Sequence, residues 1–529
     1  MKDDPSGFVS LSFELYLKIF AELDGRDLIR LGKTCTTLRE VTQQRRVWED
    51  ALRLTCRRHE LFEPSYSIDT MGLKELQLAA LGPWVWHNKI HKAGRMGRVL
   101  NPLGNKQFQW CTPRSRWDSV PIDAAELLLI PGGRYLVTIS TGMGVEEARR
   151  FISLWDLGGS METPLSIVET SSQGRCSLHG PELVSRSLRF VVQIIREGTR
   201  VLQVYEVGPL PEVANLRLLD ELSLVPGEAG DTICTLSSRN CIQNGKIFFR
   251  LTYRDGNRRQ PFFVWDFKSS HLVSWLWEPS EVMILETTFT QSHVIAFTKD
   301  SVVAWEVPSV EHWASSKLTM KKGKHTGKHT VDLRPRFRID YSDKRPGYSN
   351  SESIQIFLTH QWGEKGPCSP IIVALAITEV HPVTSGPGIT SDYMLCRLDI
   401  KDNFAGASLS SISNTHHKRQ HISDTPNILQ NATMGFTAPF STTLTGHFGS
   451  KLFSCAMEST GEIEWCSAAA SATEDVRVAL LSNVSQGRMV SGCYWALHDG
   501  GDPNPYVEEE EESDDEEGGA GCFHILDLS

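Results

Sequence analysis

Few residues in this sequence stand at the spacing that a catalytic or cofactor site requires. The segment from Gly142 to Glu147 (GMGVEE) follows a predicted strand, as a dinucleotide-binding loop does. It lacks the third glycine, and the next predicted strand begins too soon to leave room for the helix that such a loop opens. We therefore interpret it as a hairpin loop. The sequence also has no GxSxG elbow, P-loop or HExxH motif, so no motif makes a positive case for an enzyme.

Two polar segments contain the histidines that would be candidate metal ligands. These are His325 and His329 in the first segment, and His416, His417 and His421 in the second. No cysteine or carboxylate accompanies them at the spacing of a zinc site, and the twelve cysteines form no CxxC pair. We interpret both segments as solvated loops and predict no metal and no other cofactor.

The composition is that of a soluble globular chain, with 40% hydrophobic and 22% charged residues among 529. This length accommodates one large domain beside a small one. The formal net charge of −10 is largely local, because nine of the ten residues from Glu508 to Glu517 are acidic. The rest is close to neutral, so we expect no nucleic-acid partner.

Nothing in the sequence predicts a membrane-bound or secreted protein. No stretch approaches the roughly 20 apolar residues of a membrane-spanning helix, and Met1 to Pro5 lack the apolar core of a signal peptide. Scattered cysteines are typical of a reducing compartment. We predict a cytoplasmic or nuclear protein that binds no membrane.

The amino-terminal region has the apolar spacing of several short helices. Ser12 can cap the first, and Glu14 lies in its first turn, where the helix dipole favours a negative charge. Asp27 is the expected cap of the second helix. The predicted inner faces consist of Leu15, Ile19, Phe20 and Leu23, then Leu28, Leu31 and Cys35, then Val47, Trp48, Ala51 and Leu52.

These residues resemble the F-box, a short helical module that joins substrate receptors to a cullin-based ubiquitin ligase through a Skp-type adaptor. The matching positions are Leu11, Glu14, Leu15, Ile19, Phe20, Leu23, Asp24, Asp27, Leu28, Cys35 and Trp48. Ser12 stands where the family has proline. Serine is also a good helix cap, so we expect the helix to start normally and the affinity for the adaptor to be the property affected.

The resemblance implies that this unit binds a Skp-type adaptor within a cullin complex. An ordinary amphipathic helical cap on a larger domain is the alternative. The residues that the resemblance assigns to adaptor binding are Leu11, Ser12, Phe13, Glu14, Leu15, Ile19, Phe20, Leu23, Leu28, Leu31 and Trp48.

A further helix is predicted between this unit and the rest of the chain. Thr70 can cap it, and Gly82-Pro83 is expected to end it. The segment from Asn88 to Asn105 is basic and contains glycine, as expected of a linker. A basic patch for an acidic partner is its alternative role.

From about Phe108 onward, one strand motif recurs: an apolar run, a large aromatic residue, an acid and an apolar residue. It is centred on Trp155, Tyr205, Trp265 and Trp305, at spacings of 50, 60 and 40 residues, and each copy follows another predicted strand. The spacing is typical of propeller blades, and the motif resembles that of WD repeats. The glycine-histidine dipeptide of that class is missing from these four copies, and Gly446-His447 is its only good candidate. We therefore predict a degenerate β-propeller, with two β-sandwiches or a solenoid of strands as alternatives.

Two further expectations follow from this pattern. The recurring tryptophans are interpreted as packing between blades, with a ligand-binding aromatic cage as the alternative. The last motif copy, Cys522 to Leu528, is expected to pair with the strand from Met489 to Leu497 and close the propeller, which leaves the acidic run as a loop.

The sequence therefore predicts an α+β multidomain protein. It comprises an all-α F-box unit over residues 1–60, a helical and basic linker over 61–107, and a large all-β, propeller-like domain over 108–529. Disordered insertions are expected near 317–330, 402–425 and 502–521.

The resemblance as a whole is to fungal-type F-box proteins. It implies a non-catalytic receptor whose β domain binds an unknown substrate protein for ubiquitination. A propeller scaffold unconnected to ubiquitination, or a propeller hydrolase with an unrecognised site, remain the alternatives.

Overall fold

The computed structural model describes residues 11–59 and 61–98, the strands given below, and the turns that join some of them. Side chains are described only within residues 11–340. In this part of the chain, a group of helices precedes a long series of antiparallel sheets, as the sequence predicts.

The helical unit consists of five α-helices and one short 3-10 turn within residues 11–98. These are α1 (Phe13–Phe20), α2 (Gly25–Gly32), α3 (Thr36–Thr42), α4 (Arg45–Arg58), the turn Glu63–Ser65 and α5 (Leu73–Arg95).

The caps of the first two helices differ from the prediction. Ser12 stands at the N-cap position of α1, but its side chain makes no capping hydrogen bond. Asp24, not Asp27, caps α2, because its Oδ1 accepts the backbone N–H groups of Arg26 at 2.8 Å and Asp27 at 2.9 Å. Since α2 begins before Asp27, that carboxylate lies in the first turn and accepts from Arg30.

Helix α5 is longer than the sequence predicts. The sequence predicted that this helix stops at Gly82-Pro83 and that a linker begins at Asn88. Both predictions are wrong as far as Arg95, since α5 runs through Pro83 to Arg95. Its predicted cap, Thr70, is also wrong: the helix begins after Gly72, whose N–H donates to Glu75 Oε2 at 2.7 Å. A proline inside a helix costs about 3 kcal/mol. Burial of the next turns, at Trp86 and Ile90, offsets this cost.

The strands that the structure describes form seven sheets along the chain, and each contains a row of four antiparallel strands. The first sheet contains β2 (Ile122–Leu129), β3 (Tyr135–Met143), β4 (Ala148–Asp156) and β5 (Ser166–Thr170). The second contains β6 (Arg175–Val184), β7 (Ser187–Arg196), β8 (Thr199–Val207) and β9 (Leu216–Leu224). The third contains β10 (Thr232–Leu236), β12 (Lys246–Tyr253), β13 (Gln260–Asp266) and β14 (His271–Trp277), with β11 (Ile242–Gln243) on β12, and β18 (Ala314–Ser315) and β19 (Thr330–Val331) on β14.

The remaining sheets repeat this order. The fourth contains β15 (Ile284–Phe289), β16 (His293–Thr298), β17 (Ser301–Glu306) and β20 (Phe337–Asp340). The fifth contains β21 (Ser353–Leu358), β22 (Ile371–Val383), β23 (Gly386–Ile400) and β24 (Ala407–Ser413). The sixth contains β25 (Gly435–Thr437), β26 (Thr443–Phe448), β27 (Lys451–Met457) and β28 (Ile463–Ala469). The seventh contains β29 (Val478–Ala479), β30 (Arg488–Cys493), β31 (Cys522–Asp527) and, from the other end of the chain, β1 (Gly104–Gln109).

The last sheet joins the two ends of the β region. Strand β31 lies between β30 and β1 and is antiparallel to both, so Phe523 stands opposite Gly492 on one side and Phe108 on the other. The predicted pairing of the last two strands is confirmed. A β-propeller consists of consecutive four-stranded sheets, and its last sheet is often completed by a strand from the beginning of the domain. The sheets described here have this arrangement. The predicted boundary at residue 108 is displaced, since it falls inside β1.

The recurring motif occupies the third strand of each of the first four sheets, at β4, β8, β13 and β17. Trp155, Trp265 and Trp305 are all buried, which rules out an aromatic cage at these three positions. Trp265 and Trp305 each pack against residues of the preceding sheet, which confirms packing between sheets for these two. Trp155 Nε1 also donates to Thr138 Oγ1 at 3.1 Å. The glycine segment at Gly142 joins paired strands, with Met143 opposite Ala148, so its interpretation as a hairpin is confirmed.

The predicted disordered insertions lie mostly outside the described residues, as do the histidine segments and the acidic run. Two of their boundaries are wrong. Strand β24, at Ala407–Ser413, falls inside the second predicted insertion, and Thr330 of β19 falls inside the first. β24 is the outermost strand of its sheet, where polar residues such as serine are tolerated, so its sequence resembles a loop.

Candidate protein-binding surface

The helical unit is built around a compact apolar core. Phe20, Leu28 and Trp48 are at most 2% exposed and pack with Tyr16 and Leu52. Trp48 also donates its indole N–H to the carbonyl of Thr42 at 2.6 Å, which connects the end of α3 to α4. Phe20, Leu28 and Trp48 were predicted to bind the adaptor, but a fully buried side chain cannot touch a partner. They therefore stabilise the core of the helical unit.

Helix α1 has a second apolar face that nothing in the described chain covers. Leu15 is 45% exposed and Ile19, four residues later, is 37% exposed, so these two share the face. Phe13, which is 46% exposed, is turned by about 160° from Leu15 and lies on another side of the helix. The sequence pattern placed Leu15, Ile19 and Phe20 on one inner face, and this is wrong: neighbouring positions are turned by about 100°, so Phe20 points inward and Ile19 outward. Contiguous exposed apolar residues on a small unit are typical of a protein-binding surface.

The other predicted binding residues differ in exposure. Ser12 and Glu14 are exposed, whereas Leu11, Leu23 and Leu31 are half-buried and pack against the core. The pKa of Glu14 is lowered, first by a hydrogen bond with its own backbone N–H and then by the Ser12 hydroxyl. The start of α1 thus presents a negative charge beside apolar side chains.

Sequence reasoning missed a further exposed apolar group on α5. Leu78, Trp84 and Val85 are exposed there, and the guanidinium of Arg26 lies 5.7 Å from the centre of the Trp84 ring. The signal was present in the sequence, because Leu78 and Val85 are seven residues apart, but the predicted helix end at Gly82-Pro83 concealed it.

The helical unit is attached to the first sheet by the segment after α4. The Phe62 N–H donates to the carbonyl of Pro131 at 2.9 Å, and the Phe62 ring meets the Tyr135 ring edge-on at 6.0 Å. Phe62 is buried in the core shared by the first two sheets. Gly132 has a φ of +105°, and a Cβ there would stand 2.6 Å from Ser65, so only glycine allows this close approach.

Helix α5 makes a second attachment, since it contacts β26, β27 and β28 of the sixth sheet. The seventh sheet follows the sixth along the chain and also contains β1 from the beginning of the β region. The first and sixth sheets are therefore separate places on the β region. The helical unit is therefore fixed at two separate places on the β region, and its exposed α1 face has a defined direction relative to the sheets.

A comparison with known families identifies the amino-terminal unit. Residues 8–50 match the F-box domain model. The chain carries an F-box domain. Its core extends beyond the matched residues, since Ile68, Leu76 and Ala80 pack into the same cluster.

Solved structures similar to the chain include a β-propeller domain and a WD40 domain. They include the β-propeller domain of Vanderwaltozyma polyspora Nup133 (10% identity, 80% of this chain and 97% of that one, TM-score 0.38) and the WD40 domain of SCAP from fission yeast (8% identity, 77% and 84%, TM-score 0.34). Sqt1 from Chaetomium thermophilum is also similar (10% identity, 71% and 81%, TM-score 0.35). A search of curated proteins gave no match.

Two other kinds of feature are missing from the part of the chain that the structure describes. Its helices include none that is long and apolar enough to cross a membrane. Its described histidines, cysteines and carboxylates form no group of three able to hold a metal ion.

Proposed function

We propose that this chain is the substrate-receptor subunit of an SCF-type, cullin-based ubiquitin ligase. The F-box would bind a Skp-type adaptor, and the propeller-like domain would hold a substrate protein. The observation that carries the proposal is the uncovered apolar face formed by Leu15 and Ile19 within a unit that matches the F-box. The chain would catalyse nothing itself.

The double attachment of the F-box unit supports this role. A receptor accelerates transfer by raising the effective concentration of its substrate near the ubiquitin-charged enzyme. That effect is largest when the spacing between adaptor and substrate is fixed. Anchors at Phe62 and along α5 would hold this spacing constant.

The decisive experiment is capture of a purified Skp-type adaptor by the full chain. Leu15→Asp and Ile19→Asp should each weaken capture at least tenfold, since an apolar anchor at an interface is worth roughly 2 kcal/mol or more. Val213→Asp is the matched control, because Val213 is as exposed as Leu15 but lies in the connection between β8 and β9 of the second sheet. All variants should keep the wild-type melting temperature.

A wild-type chain that retains no adaptor would overturn the proposal and favour a scaffold unconnected to ubiquitination. Equal capture by Leu15→Asp and wild type would show that the apolar face is not the binding surface. Ubiquitination of proteins bound to the chain, assayed with the assembled ligase, tests the second half of the proposal.

A further inference from the structure

Helix α5 carries two histidines that are one turn apart. His87 and His91 are separated by four positions, so both lie on the same side of the helix. Their rings are nearly parallel, with an angle of 15° between the planes, and the ring centres are 6.3 Å apart. His87 is 3% exposed, whereas His91 is half-buried. The pair therefore lies where the buried side of α5 meets the solvent.

The two halves of α5 are buried by different parts of the protein. Leu76 and Ala80, in the first half, pack into the core of the helical unit. Trp86, Ile90 and Ala93, in the second half, are buried but lie outside that cluster. Beyond α2 and α4, the elements that α5 chiefly contacts are β26, β27 and β28. The second half of α5, with both histidines, therefore lies against the sixth sheet.

Strand β28 of the sixth sheet carries two further residues of types that bind metal ions in proteins. Glu464 and Cys466 are two positions apart, so they occupy the same face of the strand. In the register of the sheet they stand opposite Ala456 and Ser454 of β27. Helix α5 and strand β28 thus bring two histidines, a carboxylate residue and a cysteine to one junction.

These four residue types are those of a structural zinc site. Zinc binds imidazole nitrogen, thiolate sulfur and carboxylate oxygen, and structural sites almost always have four ligands. Two histidines at this spacing on one helical face are known to share a zinc ion. At a Zn–N distance of about 2 Å, each ring centre lies roughly 3 Å from the ion, so the centres of two bound rings are at most about 6 Å apart. The observed 6.3 Å is only slightly longer, so modest rotations of the two rings would bring both onto one ion.

We propose that His87 and His91 of α5, together with Glu464 and Cys466 of β28, form a zinc site that joins the helical unit to the sixth sheet. Among the side chains that the structure describes, the two histidines belong to no group of three ligands. The other two ligands must therefore come from the sixth sheet. Half-buried His91 gives the ion a path from solvent. The site does not rest on the proposed receptor function.

The test is titration of the full chain, first treated with a chelator, with cobalt(II) and then with zinc. Cobalt(II) occupies zinc sites and absorbs in the visible range, and a thiolate ligand adds a charge-transfer band in the near ultraviolet. We expect cobalt to produce both absorptions and zinc to remove them. If the histidines only stack on each other, neither absorption appears, and this result would overturn the proposal.

His91→Gln tests the half of the site on the helix. Loss of a partner outside the ligand set weakens metal binding about 10- to 100-fold, so loss of a ligand should weaken zinc binding roughly 100-fold or more. His271→Gln is the matched control, since His271 is exposed in β14 of the third sheet. Equal zinc affinity of His91→Gln and wild type would show that the site is not on α5.

Cys466→Ser tests the half of the site on the strand. It should abolish the near-ultraviolet band, which the control Cys176→Ser, in β6 of the second sheet, should keep. Glu464→Gln should weaken zinc binding but retain the band, because the thiolate remains. A band that survives in Cys466→Ser, or wild-type zinc affinity in Glu464→Gln, contradicts the site even if His91→Gln fails to fold.

Zinc should also strengthen the attachment of α5 to the sixth sheet. An ion that binds only the folded state stabilises it, so saturating zinc should raise the melting temperature of the wild type and slow hydrogen exchange in the second half of α5. His91→Gln should show neither change, and a wild type that zinc does not stabilise would count against the site. Adaptor capture, assayed on the same preparations, should be equal in His91→Gln and wild type, so failure of the proposed function and failure of this site give different results.

Discussion

Arg134 and Asp156 form a two-pronged ion pair at the junction between the helical unit and the first sheet. Arg134 Nε lies 2.9 Å from Asp156 Oδ1, and Nη2 lies 2.8 Å from Oδ2. The remaining nitrogen, Nη1, donates to Ser67 Oγ at 3.1 Å, and the guanidinium lies 5.2 Å from the centre of the Tyr135 ring. One side chain thus connects two strands of the first sheet to the segment that leads into α5.

Arg134→Ala should loosen this junction. The pair is largely shielded from solvent, so we expect the free energy of unfolding to fall by about 1–3 kcal/mol. Hydrogen exchange at the N–H of Phe62, which bonds to Pro131, should accelerate more than exchange in the third sheet. Arg338→Ala is the control, because its pair with Asp340 is exposed and is worth at most about 1 kcal/mol. Equal losses of unfolding free energy in Arg134→Ala and Arg338→Ala would indicate that the Arg134–Asp156 pair does not stabilise the junction.

Thr138→Val should destabilise the first sheet through Trp155. The Thr138 hydroxyl is the acceptor for the indole N–H, and both residues are buried. Valine has the same shape but no oxygen, so a buried donor loses its partner at a cost of about 1–3 kcal/mol. Chemical denaturation measures the loss. Adding Trp155→Phe removes the donor, so the double mutant should cost less than the two single changes together. Strict additivity would mean that the hydrogen bond contributes little.

Two deletions near the end of the chain should differ sharply in effect. Removing residues 523–529 eliminates most of β31, which pairs with β30 on one side and β1 on the other, so two ladders are lost. We expect a clear drop in melting temperature and a tendency to aggregate through the exposed edges. Removing Glu508 to Glu517, between β30 and β31 in sequence, should change the melting temperature little, because repelling charges favour solvation. Similar melting temperatures for the two deletions would contradict closure by β31.

Glu126 should make the stability of the protein depend on pH. Burial raises the pKa of its carboxyl from 4.5 to about 7, against a smaller lowering by the N–H of Leu178. The folded state therefore holds the proton more tightly than the unfolded chain. The resulting stability is fully present below pH 4.5 and is lost as the pH rises to about 7.

Glu126→Gln removes this dependence. Its free energy of unfolding should equal that of wild type near pH 4 and exceed it above pH 7 by up to about 3 kcal/mol. Denaturation at both pH values measures the difference, with Glu22→Gln, an exposed position on the helical unit, as the control. A difference that does not change with pH would show that Glu126 titrates normally.

Local chemistry was enough to predict the elements of this protein. Apolar periods of about 3.6 and 2 residues identified the helices and the recurring strands, because burial on one side imposes these periods on any sequence. The spacing from Trp155 to Trp305 predicted one sheet per motif, and the copy at Cys522 predicted how the last sheet is completed. The F-box resemblance depended on a similar local pattern between Leu11 and Trp48.

The tertiary structure decided which apolar side chains face a partner and how far the helices extend. Leu15 and Phe20 are equally apolar, but only packing against α4 makes Phe20 inner and leaves Leu15 outer. Pro83 predicts a helix end by its local geometry, yet burial of the following turns retains the helix. The Arg134–Ser67 and Arg150–Cys176 contacts join residues that are 67 and 26 positions apart in the chain. Such contacts leave no periodic signal in a sequence, because they exist only after separate elements have packed together.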